Sequence, residues 1–186
     1  MIRQSRFVLG GALSVALVLS TAAFAQTNEP QAERAAPDPS TQTNAPDAKF
    51  VEAASAAGLA EVSLGKLGAA QGQSDAVKAF GQQMVDDHTK ANEELNTIAG
   101  GKSIPVSKLP MASDTSAAAK IVNMKGTEFD AAFKKRMVQD HEKVVKLFTK
   151  ESTAGKDPDL RAFAAKTLPT LQHHLEMARQ LPATGT

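Results

Sequence analysis

The chain contains no cysteine, no tryptophan and no tyrosine. Without cysteine there are no disulfides, no thiolate metal ligands, no thiol nucleophile and no lipid-modified N-terminal cysteine, so the fold must be held by its core alone. Without tyrosine and tryptophan the usual aromatic redox relays are gone, and eight phenylalanines supply the large rings. Strand signals are missing too: from Asp47 onward no period-two alternation survives more than a few residues. Nor is there an excess of one charge. With 21 basic and 20 acidic side chains the formal charge is +1, which provides no electrostatic footprint for nucleic acid. The basic run Lys134-Lys135-Arg136 reads as a solvated helix face. Serine-nucleophile motifs, phosphate loops and paired carboxylates at workable spacing are absent as well, so no catalytic set stands out.

What is present begins with an address. Arg3 and Arg6 precede an apolar stretch from Phe7 to Ala23, and Ala23-Phe24-Ala25 offers small residues at the −3 and −1 positions of a cleavage site. Residues 1–25 are therefore expected to be a secretory signal peptide rather than an anchor, because the apolar core falls short of the ~20 residues that a spanning helix needs. No later segment is apolar enough to span. Cleavage removes two arginines and no acids, moving the formal charge to about −1. Residues 26–46, "QTNEPQAERAAPDPSTQTNAP", are rich in Pro, Gln, Thr and Asn and offer little to bury, the composition of a disordered linker. The domain is expected over residues 47–182, with 183–186 as a flexible tail.

Ala, Leu, Lys, Glu and Gln dominate this domain, and four helical segments can be drawn. The first runs from about Asp47 to Gln71. Ser74 caps a second that reaches Ala99 before Gly100-Gly101 stops it. A third begins near Thr127 and ends near Gly155, and "KDPDLRAF" opens the fourth with Asp157 as N-cap and Pro158 at the first helical position. The first and last connections are short and make antiparallel hairpins. The middle connection, about twenty-five residues from Gly100 to Gly126 with a short helix capped by Asp114, can return along a helix ~38 Å long. The expected fold is all-α: a four-helix bundle of two antiparallel hairpins joined by a long crossover, with the second and third helices parallel. Pro169, inside the fourth helix, should kink or locally open it.

Two similarities run through these helices. "VKAF" at Val77 to Phe80 matches "LRAF" at Leu160 to Phe163, pairing helix two with helix four as a duplication of hairpins would. "MVDDH" ending at His88 matches "MVQDH" ending at His141, which pairs helix two with helix three and so has another origin. Neighbours at i±3 and i±4 indicate where each side chain points. His141 has Met137, Val138, Val144 and Val145 around it; His88 interrupts the stripe Val77, Met84, Ala91, Ile98; Glu61 lies on Ala57, Gly58, Leu64 and Gly65; and His174 has the more apolar surroundings of the pair His173-His174. Glu61, His88 and His141 each fall ~20 Å into their helices, with His174 about one turn past that layer. Asp87 and Asp140 turn about 100° away from the histidines they precede and read as flanking ion-pair or supporting groups. Glu52, Asp130 and Glu176 read as solvated faces.

This Glu/His layer has two readings. Buried imidazoles partnered by Glu61 could pin the helix register without any ligand. Alternatively Glu61, His88, His141 and His174 could hold one transition-metal ion, with Zn, Cu, Fe and Mn all suited to imidazole and carboxylate donors, in the place where helical bundles build metal sites.

The segments "FVEAASAAGLAEVSLGKLGAAQ", "VKAFGQQMVDDHTKANEEL", "FDAAFKKRMVQDHEKVVKLF" and "LRAFAAKTLPTLQHHLEMA" closely resemble the exported bacterial family known as domain of unknown function 4142. Its members are often labelled outer membrane proteins and are placed near the ferritin-like superfamily. The resemblance covers Ala48 to Leu181 and implies a ferritin-like bundle with a crossover between the second and third helices. It does not bring a di-iron centre, because the Glu-x-x-His pair of di-iron members occurs nowhere in this chain and His173 to Glu176 runs in reverse order. The outer-membrane label is not a barrel signal, since alternating strands and aromatic girdles are lacking. The expected protein is thus an exported, periplasmic, non-enzymatic binding or stress-associated envelope protein, with a homo-oligomer or an envelope protein partner that could bring it to the outer membrane. The alternative is a mononuclear metal-binding protein.

Overall fold

The computed structural model describes residues 45–182, and every described element is helical. The expected signal peptide, almost all of the expected linker, and the tail at 183–186 lie outside the described residues. There are four long helices, α1 (Ala45–Gln71), α2 (Asp75–Gly101), α4 (Gly126–Ala154) and α5 (Pro158–Gln180), and one short helix, α3 (Ala112–Ile121). α1 packs along α2 and α4 along α5; α1 also meets α4, α2 meets α5, and α3 lies against α1 and α4. No described helix is long and apolar enough to cross a membrane.

Helix starts follow local chemistry closely. The Ser74 side chain accepts from the Val77 N–H, and the Asp157 side chain accepts from Asp159 and Leu160 N–H while Pro158 opens α5, so orphan donors of both first turns are met. The end of α2 departs from expectation. The helix runs through Gly100 and Gly101, and the left-handed residue is Ser103, with φ 55°. Its cap is completed by Ile104 N–H donating to the Ala99 carbonyl at 2.9 Å, and Ile104 is buried; hydrogen bond and apolar contact together end the helix where the glycines alone did not. α3 likewise starts at Met111 and Ala112, leaving Asp114 in the first turn rather than at the cap. α5 continues through Pro169, which sits on its exposed side.

α1 and α2 approach closely because both are glycine-bearing at their contact. A Cβ on Gly81 would lie 2.4 Å from the Ala69 nitrogen, and one on Gly65 would lie 2.7 Å from the Gly81 carbonyl oxygen. Either position admits no side chain without moving backbone.

The core falls into two clusters. In one, Phe50, Phe148 and Phe163 meet at centroid distances of 5.1 to 6.5 Å, joined by Leu95, Ala99 and Leu160. In the other, the Phe133 ring lies 6.2 Å from Phe80 and 5.8 Å from Phe129, joined by Leu64, Met84 and Met137. Fully burying each such ring stabilises the fold by about 1.5–3 kcal/mol, and with no disulfide these clusters are its principal glue.

Two buried carboxylates tie the halves together. Asp130, near the start of α4, accepts from Gln73 N–H at 2.8 Å and Ser74 N–H at 2.9 Å in the turn between α1 and α2. Asp47, near the start of α1, accepts from Lys156 N–H at 2.9 Å and Asp157 N–H at 2.8 Å in the turn between α4 and α5. Asp130 is therefore not on a solvated face: it is buried because those amides need an acceptor. The repeat seen in Phe80 and Phe163 extends to these residues, which are the same distance apart in the chain and stand in "DAKF" and "DAAF". Arg136 is also no solvated cation. Its side chain is 13% exposed and pairs with Asp114 and Asp140.

Candidate metal centre

Between the two phenylalanine clusters three histidines converge from three helices: His88 from α2, His141 from α4 and His174 from α5. Their relative exposures are 5%, 0% and 1%. The ring centroids of His88 and His141 are 5.6 Å apart, and each is 5.5 Å from His174. Phe80 closes one side, with its ring 6.4 Å from His174. The expectation that His88 and His141 share a layer holds, and His174, expected a turn away, stands equally within it, while His173 faces solvent.

Hydrogen bonds set the tautomers of two rings. His141 Nδ1 lies 2.9 Å from the Met137 carbonyl oxygen and donates to it, the oxygen being acceptor only. His174 Nε2 lies 2.8 Å from Asp87 Oδ2 across the α2/α5 contact, so Asp87 does support a histidine, though not the one it precedes. The remaining nitrogens, His141 Nε2 and His174 Nδ1, are then bare lone pairs, and both are buried without a partner, as is His88 Nε2. A buried unsatisfied polar atom costs about 1–3 kcal/mol. Three such nitrogens lie in one small volume.

All three rings are held neutral. Burial, and then His141 and His174, keep the His88 imidazolium far below its ordinary range. Burial and then His174 bring His141 down to about 4, against the opposing Met137 carbonyl. Burial also lowers His174, opposed by its bond to Asp87. Neutral imidazole is the form that ligates metals.

The ligand nitrogens of the trio lie within 4.8 Å of one another. Metal–nitrogen bonds of ~2.0–2.1 Å would set them about 3.3–3.6 Å apart. Among the described residues this is the group of His, Asp and Glu side chains that could hold an ion, and Glu61 is not in it. Glu61 is buried, its Oε2 has no partner, and it lines a separate cavity between α1, α4 and the start of α3. The hydrogen-bonded Glu61–histidine pin is accordingly not formed. Three nitrogens without a bridging carboxylate do not fit a di-iron centre, which needs carboxylates from each helix.

A family profile described as a domain of unknown function, DUF4142, matches residues 31–181. The chain belongs to the DUF4142 family. This DUF4142 chain is also similar in fold to a solved structure titled as the crystal structure of a DUF305 fragment from Deinococcus radiodurans. The TM-score is 0.66 and the identity 12%, over 74% of this chain and 95% of that one. Comparison with curated proteins gives no match. At that identity the DUF305 likeness speaks for the shared fold alone, and the histidines of this DUF4142 domain stand on their own geometry.

Proposed function

We propose that this DUF4142 domain is an exported, ferritin-like four-helix bundle that binds one transition-metal ion through His88, His141 and His174. The observation that carries the reading is the trio of orphaned, buried ring nitrogens. Three neutral nitrogen donors favour zinc or copper over manganese, which prefers oxygen. The Asp87 carboxylate on His174 supplies the outer bond that metal-ligating histidines commonly make.

The ferritin-like connectivity has its own support. One core cluster takes the beginnings of α2 and α4, with Phe80 and Met84 beside Phe129 and Phe133, and the other takes Leu95 and Ala99 with Phe148. Parallel α2 and α4 require residues 102–125 to return the length of the bundle, as a crossover does. Binding, rather than turnover, is favoured by the enclosure: the recess beside His88 has a volume of about 20 Å³, room for about one water and for no larger substrate. The signal-peptide pattern at residues 1–25 supports a periplasmic location, with any outer-membrane association through a partner.

The test is elemental analysis of natively exported protein beside a His88→Ala, His141→Ala double variant, with circular dichroism on both. About one zinc or copper per chain, lost in a folded double variant, is expected. Wild-type protein that stays metal-free after titration with both ions would sink the proposal.

A further inference from the structure

The cavity that Glu61 lines is distinct from the histidine trio and has unusual chemistry for its size. Its volume is about 190 Å³, far above the ~10–15 Å³ that a single water requires. Ala53, Ala57, Ala60, Val144 and Leu147 make an apolar wall, and Glu61, Asp114 and Asp140 bring three carboxyl groups to it. Arg136 is already committed, since it pairs with Asp114 at 2.8 Å and with Asp140. The Lys143 ammonium sits 3.5 Å from Asp140 with its side chain 70% exposed. Two cations thus face three acids, and the acid left over is Glu61, which is 2% exposed with Oε2 unpartnered. Burial first, and then Asp140, push its carboxyl well above the ordinary range, with Arg136 opposing and Asp114 adding to the rise; burial without a counter-charge favours the protonated acid, which an arriving cation would ionise.

We propose that this cavity binds a small primary alkylamine, its ammonium on the Glu61 carboxylate and its alkyl chain against the alanine, valine and leucine wall. An inorganic cation matches the charge but not the wall: calcium takes six to eight oxygen ligands, whereas this lining is largely hydrocarbon. An alcohol or a fatty acid matches the wall but brings no cation to hold Glu61 ionised, and a carboxylate would set a further negative charge beside Asp114 and Asp140. The volume accommodates a chain of a few carbons. This site does not depend on whether the three histidines hold a metal.

The experiment is calorimetric titration of the exported protein with n-butylamine, n-butanol, butyrate and calcium chloride, repeated on Glu61→Gln and Ala53→Leu. The first variant removes the charge, and the second fills the cavity without touching Glu61. Saturable binding of butylamine is expected, weakened about tenfold or more in both variants, a loss of about 1.4 kcal/mol or more, with butanol and butyrate at least as weak. Far-UV circular dichroism identifies a variant that has lost its fold, and the other variant then decides. Equal binding of butanol, binding of calcium in place of the amine, retention of amine affinity in a folded variant, or no amine binding at all would each overturn the proposal.

Discussion

Replacing Asp130 with alanine strips the α1–α2 turn of both its side-chain acceptors at once. The carboxylate accepts from Gln73 N–H at 2.8 Å and Ser74 N–H at 2.9 Å while being 4% exposed. Hydrogen bonds to a charged group contribute about 1.5–3 kcal/mol each. Against their sum stand the relief of the carboxylate's own desolvation and the access of the exposed Gln73 amide to water, so a net loss of about 2–4 kcal/mol is expected. With a urea m-value of about 2 kcal/mol/M the unfolding midpoint should fall by roughly 1–2 M. Asp47→Ala should behave alike, since its bonds to Lys156 and Asp157 are 2.9 and 2.8 Å and it is fully buried. Asp47 precedes Phe50 of one core cluster and Asp130 follows Phe129 of the other, so the two losses should add within about 0.5 kcal/mol in the double variant. Equilibrium urea titrations by circular dichroism measure all three. A midpoint shift below about 0.3 M for Asp130→Ala would refute the reasoning, because the turn would then be held by its helices and not by the carboxylate.

Glu151 should set a pH dependence. Burial, then Asp47 and Asp157, raise its carboxyl to about 7 despite Arg161 and Lys150. A raised pKa means that the folded protein holds the proton more tightly than the unfolded chain, so this contribution is complete below about 4.5 and is lost as pH climbs through about 7. Glu151→Gln should therefore flatten the fall in stability between pH 5 and 8 and add about 1–3 kcal/mol at the upper end; urea midpoints with an unchanged slope across that range would contradict it. Gly81→Ala should destabilise by about 2 kcal/mol or more, as its Cβ would meet the Ala69 nitrogen at 2.4 Å. Gly100→Ala, with nothing within 4 Å, should instead gain about 0.5–1 kcal/mol, and melting curves that rank the two the other way would count against the α1/α2 close approach.

Much of this is legible in the sequence. Ser74, Asp157 and Pro158 announce their helix starts because capping is a local transaction between a side chain and the next two or three amides. His88, His141 and His174 could be turned inward from their i±3 and i±4 neighbours, since those neighbours decide direction on a helix. Asp130 could not be read this way. An acid in a first helical turn is favourable whether it faces water or a distant amide, and its partners at Gln73 and Ser74 are far off in the chain. Glu61 illustrates the same limit: inwardness was evident, but whether it turns toward the histidines or toward the cavity beside Asp140 depends on how α1 lies against α4. The end of α2 was misplaced because an apolar residue, Ile104, and not a glycine, decided it.

The paired clasps of Asp47 and Asp130 make each hairpin incomplete by itself. A lone hairpin would own one buried carboxylate with no amides to serve and one turn of amides with no carboxylate, and a second copy laid end-for-end would satisfy both. The full chain is in effect such a two-piece assembly in which residues 102–125 are a tether, so a single proteolytic cut in that stretch should leave two fragments that still elute together on sizing chromatography.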